Sequence, residues 1–271
     1  VICGESYTCP DGFTVRPTST CAGVPCTDTE CCMEVIPTEV LVDMQPCILA
    51  PSTLEKDVGS VSDAYLFNNF FKGFWTASQN IQAPAGDVLD LTVDTNHGRC
   101  NSIFIGIVPT AAQNVQLENY SHRFKVRLVY FDLADTANDA GMVNKLGFQQ
   151  YFAAPIQDAP RIKLTPAGVN PTSVVPSTLI SDPTESNLFR RPMIQFSAGD
   201  GTGVATAVAE YADTSGTALA TTDGSPSAAI VTWVGANGVE EMHVFFSLAW
   251  FDMGSWAWAH YIAEWATKGI F

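Results

Sequence analysis

The chain has 271 residues, 46% hydrophobic and only 15% charged, which is enough apolar content for a sizeable core and excludes global disorder. Its 28 acidic against 13 basic residues leave a formal charge of −15. That balance excludes nucleic acid and anionic lipid surfaces as partners, because both are bound by cations that neutralise phosphates.

Residues 1–34 read as a disulfide-rich module. Six of the eight cysteines, Cys3, Cys9, Cys21, Cys26, Cys31 and Cys32, fall here. Thiols crowded into a segment too short for a core indicate a disulfide framework made in an oxidising compartment. Zinc is the rival, but only Cys21 and Cys26 have a suitable spacing and no histidine precedes His97. Adjacent Cys31 and Cys32 need different partners, since a bond between neighbours is strained. Cys47 and Cys100 are left over, and pairing them would staple the start of the body to a later strand. The run C-x5-CP-x-G-x8-C-x4-CT-x3-CC resembles cysteine-rich modules of secreted and cell-surface proteins of unicellular algae and other protists. The resemblance covers residues 1–32 and implies an extracellular setting without implying any activity. No family is recognised in the body.

Residues 35–63 form an extended arm. Val35, Ile36, Val40, Leu41 and Val42 are β-prone, and Pro37 and Pro46 oppose helix. Such an arm lies on its own domain or adds a strand to the sheet edge of a neighbouring copy. Residues 64–154 then carry strand signals at 64–75, 88–93, 102–108 and 123–133, with a helical tail at 142–152. Residues 155–186, rich in Pro, Ser and Thr, read as an extended connector open to O-glycosylation. The pattern returns in residues 187–271, with strands at 187–197, 203–211, 228–234 and 241–253 and an aromatic helix at 256–266. Leu128-Val129-Tyr130-Phe131-Asp132-Leu133 matches Leu248-Ala249-Trp250-Phe251-Asp252-Met253 in order and character, which suggests a duplication. The expected fold is therefore mainly β: two tandem antiparallel sandwich or jelly-roll-like domains behind a small disulfide module.

Catalytic motifs are missing from this pattern. Cys100, beside His97, reads as structural, because a nucleophilic cysteine needs a free thiol. His260 reads as a packed aromatic, and His122 and His243 as strand-start residues. Gly199-Asp200-Gly201-Thr202-Gly203 reads as a hairpin loop. The acidic loops at Asp87, Asp90, Asp94 and at Asp132, Asp135, Asp139 lack EF-hand spacing, so calcium is a weak expectation and no other cofactor is implied. Asn119-Tyr120-Ser121 is a glycosylation sequon placed in a loop before a strand. The apolar run 244–258 is too short and broken to span a membrane.

The sequence thus points to an extracellular, non-enzymatic structural protein. It would be a self-assembling subunit of a surface fibril, appendage or layer, with itself and covalent glycans as partners and its contacts made through the arm. The alternative is a secreted carbohydrate-binding or adhesion protein. The third reading is a glycoside hydrolase-like enzyme using Asp132 and Asp252.

Overall fold

The computed structural model describes residues 13–15, 31–34, 40–49, 79–81, 88–131, 145–150, 161–169, 180–181, 193–195, 199–219, 227–246 and 253–268. The chain forms two compact units, Val1–Leu41 with Thr92–Gly98, and Val42–Leu91 with Arg99–Phe271.

In chain order, β1 (Phe13–Val15) pairs antiparallel with β2 (Cys32–Glu34). After β3 (Leu41–Val42) come β4 (Pro46–Leu49) and β5 (Gln79–Asn80). The hairpin of β6 (Thr92–Asp94) and β7 (His97–Gly98) precedes β8 (Ser102–Ile105), helix α1 (Ala111–Phe124) and β9 (Arg127–Phe131). Short strands follow: β10 (Phe148–Gln150), β11 (Arg161–Leu164), β12 (Ile180–Ser181) and β13 (Met193–Gln195). The chain closes with β14 (Gly203–Ala212), β15 (Ser227–Gly235), β16 (Glu240–Val244) and helix α2 (Met253–Ala266).

The main sheet is mixed. Five strands lie parallel in the spatial order β5-β4-β8-β9-β16. Numbered along the chain this is 2-1-3-4-5, one of the two common orders of doubly wound α/β sheets. Antiparallel β15, β14, β11 and β12 extend it, and β13 joins beside β15. Strands predominate, as expected, but the described residues do not divide into two tandem sandwiches. Strand β9, from the expected first domain, pairs in parallel with β16, from the expected second. The proposed repeat is not visible in the pairing either: β9 is a central parallel strand, whereas Met253, its counterpart's last residue, opens a helix.

Helix α1 stands where a loop was expected, between the strands at 102–108 and 123–133, and only Arg123 and Phe124 overlap the second of these. Its start is written in the sequence as a capping box, in which the Thr110 hydroxyl accepts from Gln113 N and the Gln113 side chain accepts from Thr110 N. The expected helix at 142–152 is present only in part: Lys145 and Leu146 are helical, residues 142–144 lie outside the described residues, and the helix stops for a local reason. Gly147 takes a left-handed φ of 68° and the chain leaves as β10. The expected connector contributes β11, whose Arg-Ile-Lys-Leu alternation buries Ile162 and Leu164 beside β14.

Side chains alternate across the sheet. On one face Phe104, Val129, Phe131, Ile230, Met242 and Val244 form a core with Trp258, Tyr261 and Ile262 of α2. At the strand starts, Arg127 clamps the layers together: its Nε donates to Glu240 Oε2 at 2.7 Å and one terminal nitrogen to the Trp265 carbonyl at 2.6 Å. That hydrogen bond, together with the guanidinium charge, outweighs burial and holds the Glu240 carboxyl below its usual range.

Cys47 of β4 is bonded to Cys100, just before the neighbouring strand β8, with Cα atoms 5.5 Å apart. Closing 53 residues restricts the unfolded chain by about 4 kcal/mol in the chain-entropy picture. The phenol of Tyr120 on α1 accepts from Cys100 N and donates to Cys100 O, both at 2.8 Å. Burial pushes that phenol up to about 12. Cys31 and Cys32 are also disulfide-bonded, while Cys3, Cys9, Cys21 and Cys26 lie outside the described residues. Among the described residues, no helix is long and apolar enough to cross a membrane.

Candidate acid–base site

The opposite face of β16 carries a polar cluster where a buried strand would ordinarily be apolar. Glu241 is 1% exposed and His243 is 2% exposed, two residues apart and therefore on one face. Glu241 Oε1 accepts from Lys145 Nζ at 2.7 Å, and its Oε2 lies 3.1 Å from His243 Nε2. Lys145 also reaches Glu118 of α1, at 3.4 Å. The His243 ring stacks on Tyr130 of β9 with centroids 4.9 Å apart and planes within 5°. The Phe245 ring lies 6.5 Å from it, with planes within 14°.

Burial works to raise the Glu241 carboxyl, but the His243 hydrogen bond and the charges of His243 and Lys145 outweigh it, so the carboxyl lies below its usual range. A carboxylate only accepts, so the His243 nitrogen that faces it, Nε2, is the donor, and Nδ1 is the ring nitrogen that Glu241 does not hold. Burial, reinforced by the charges of Glu241 and Glu118, pushes the Tyr130 phenol well above its usual range and keeps it neutral. An imidazole oriented through one nitrogen by a carboxylate is the arrangement of a general base. The register places it at the productive end of the sheet. Ile105, the last residue of β8, aligns with Tyr130, and Tyr130 aligns with His243. Doubly wound sheets take their ligands outside the carboxyl ends of the strands, at a switch point that in this order lies between β4 and β8, two strands from β16.

Trp233 of β15, paired across the ladder with Glu241, forms the side of the cluster. Lys145 Nζ sits 4.0 Å from its ring centre. The indole is 4% exposed, and its Nε1–H has no hydrogen-bond partner among the described residues. An unpaired buried donor costs about 1–3 kcal/mol. Room for the ring comes from two glycines. A Cβ on Gly203 or on Gly235 would come within 2.5 Å of indole carbons. Gly203→Ala is expected to displace the ring and lower stability by about 1–3 kcal/mol; denaturant unfolding reads this, and an unchanged midpoint would show that the indole moves freely.

The residues singled out from sequence are scattered. Asp90 is paired with Arg99 at 2.9 Å, and Asp94 accepts from Asn96 N. Asp87, Asp132, Asp135, Asp139 and Asp252 lie outside the described residues, as do Val35 and Ile36. Among the described residues, no group of three or more His, Cys, Asp or Glu side chains is placed to hold a metal. Val40, Leu41 and Val42 remain partly or fully exposed, and Leu41 N donates to the Asn96 carbonyl of the same chain at 3.0 Å. Asn119 sits on the exposed side of α1 rather than in a loop. His122 is exposed near the end of α1, and His260 is half-buried in α2. Sequence reasoning missed Lys145, Trp233 and Glu241, and read His243 only as a strand-start residue. A signal existed in Glu241-Met242-His243: charge alternating with apolar residues inside a run otherwise fit for a fully buried strand.

The chain matches no protein-family model and no curated protein sequence. Among solved structures it is similar to Agd3, described as a novel carbohydrate deacetylase, with a TM-score of 0.60 and 16% identity over 85% of this chain. This chain spans 33% of the length of that one. At such identity the likeness is one of fold. It nonetheless overturns the expectation of a non-enzymatic protein, because that expectation rested on missing motifs, and a carbohydrate deacetylase contains this fold.

Proposed function

We propose that the chain is an extracellular carbohydrate-active protein that hydrolyses acyl groups from sugars, with His243 as general base. The observation that carries the reading is the buried Lys145–Glu241–His243 array at the carboxyl end of the parallel strands. A buried ion pair adds little net stability, so an array this complete, set toward the carboxyl end of a parallel strand, is better explained by chemistry than by folding. The shared fold with a carbohydrate deacetylase supports the substrate class, and the disulfide supports secretion.

In this scheme His243 Nδ1 takes a proton from the water that attacks the acyl carbonyl. Glu241 holds the ring and stabilises the imidazolium. Lys145 keeps Glu241 ionised. The proton then passes to the departing sugar amine or hydroxyl as its bond to the acyl carbon breaks, leaving the acid. Purified chain incubated with an N-acetylated polysaccharide is expected to release acetate. The His243→Ala variant should release it on the order of a hundredfold more slowly while still melting cooperatively, at a midpoint lowered by loss of the buried ring and of its bond to Glu241. Wild-type chain that retains the glycan without releasing acetate would overturn the reading. That outcome fits a second reading, sugar binding without turnover, which the match to only a third of the deacetylase favours.

A further inference from the structure

Beside the acid–base array lies a second feature that the scheme above does not use. Trp233 Nε1–H is a buried donor without an acceptor among the described residues, next to the indole carbons that lie against Gly203. Gly203 ends the loop Gly199-Asp200-Gly201-Thr202-Gly203, in which Gly199 and Gly201 both take a left-handed φ of 80°. The loop is open on its outer side: a side chain at Gly201 would meet nothing within 4 Å. Asp200 is turned inward on the loop, accepting from Thr202 N at 2.9 Å and from the Thr202 hydroxyl. The Thr202 hydrogen bonds hold its carboxyl below the usual range. The indole touches both partners: Gly203 at the end of the loop lies against its carbons, and Lys145 Nζ sits 4.0 Å from its ring centre. Glycines of this kind allow a ligand to approach the backbone closely.

The charge balance selects the ligand. Lys145 faces two carboxylates, Glu241 and Glu118, so the surroundings of the indole are anionic on balance and repel a phosphate or carboxylate. A neutral acceptor with a strong dipole suits an N–H donor beside an ammonium. On a sugar that group is the carbonyl oxygen of an acetamido substituent, while neighbouring hydroxyls can donate to Glu118. We propose that Trp233 Nε1–H, the Lys145 ammonium and the Gly199–Gly203 loop form a subsite for the acetamido carbonyl of an N-acetylated sugar. The inference rests on the carbohydrate reading and names the substituent that the site selects.

The probes are tetra-N-acetyl-chitotetraose and its fully deacetylated counterpart, with binding measured by calorimetry in the cold on the whole chain. Wild type should prefer the acetylated oligomer, and Trp233→Phe, which keeps a ring under Lys145 but removes the N–H, should bind it about tenfold more weakly. The deacetylated oligomer should be bound equally by both. Undiminished binding of the acetylated oligomer by Trp233→Phe overturns the subsite and leaves the carbohydrate reading standing. Wild type that binds neither oligomer overturns both. Should Trp233→Phe fail to fold, the wild-type indole N–H resonance decides, assigned through its contacts to the Gly203 and Gly235 α-protons. A downfield shift on adding the acetylated oligomer alone supports the subsite, and no shift overturns it.

Discussion

Lys145→Met is expected to destabilise the chain by about 3–5 kcal/mol at neutral pH, because it strands a charge in the interior. Glu241 is 1% exposed and depends on Lys145 Nζ at 2.7 Å for much of its compensation. Methionine preserves the length and apolar stem of the side chain, so the loss reports the ammonium rather than packing. The pH dependence follows from the direction of the Glu241 shift. A carboxyl held below its usual range contributes stability that is present above the unfolded-state value, near 4.3. That contribution is lost as pH falls through the folded-state value. In the variant the carboxyl rises, so the deficit is largest at neutral pH and shrinks in acid, where both proteins carry a protonated Glu241. Urea unfolding at a series of pH values measures it. A constant deficit across that range would show that Lys145 acts by packing, and no deficit would remove it from the array.

Trp258→Ala should cost about 3–5 kcal/mol, the usual range for deleting a large aromatic from a packed core. Trp258 is fully buried on the face of the sheet opposite the acid–base array. It meets Phe246 and Tyr261 edge-to-face, each with centroids 5.9 Å apart. Tyr261 in turn donates to the Gly168 carbonyl at 3.0 Å, so α2 ties the parallel strands to the segment after β11. Loss of the indole leaves a cavity where helix and sheet meet, and the thermal midpoint is expected to fall by about 10 °C. Far-UV circular dichroism on heating reads the change. A midpoint within a degree or two of wild type would mean that α2 contributes little to the stability of the sheet.

Some elements were legible because their signal is local. The strands at 203–211 and 228–234 appear almost as expected, as β14 and β15, since alternation and β-branched residues act within a single strand. The aromatic helix is present as α2, from Met253 to Ala266. The bond between Cys47 and Cys100 was legible by elimination, once the six N-terminal cysteines were set apart as one framework. Helix α1 was missed although its capping box stood in the sequence. Its buried side includes Gln113 and Ser121 as well as Leu117, Tyr120 and Phe124, so the apolar stripe is interrupted.

What the sequence determined by itself was composition and local bias: a strand-rich, acidic chain, stapled by disulfides, with turns where glycine and proline demand them. Only the tertiary structure decided which strands are neighbours. Parallel pairing of β9 with β16 joins residues more than a hundred positions apart, Arg127 with Glu240 among them, and no local pattern encodes such a register. The same pairing created the candidate site. Lys145, Glu241 and Trp233 come from three separate segments, and His243 gains meaning only beside Tyr130 and Glu241. A carboxylate, an imidazole and an ammonium become an acid–base array through distance and burial, and both are properties of the folded chain.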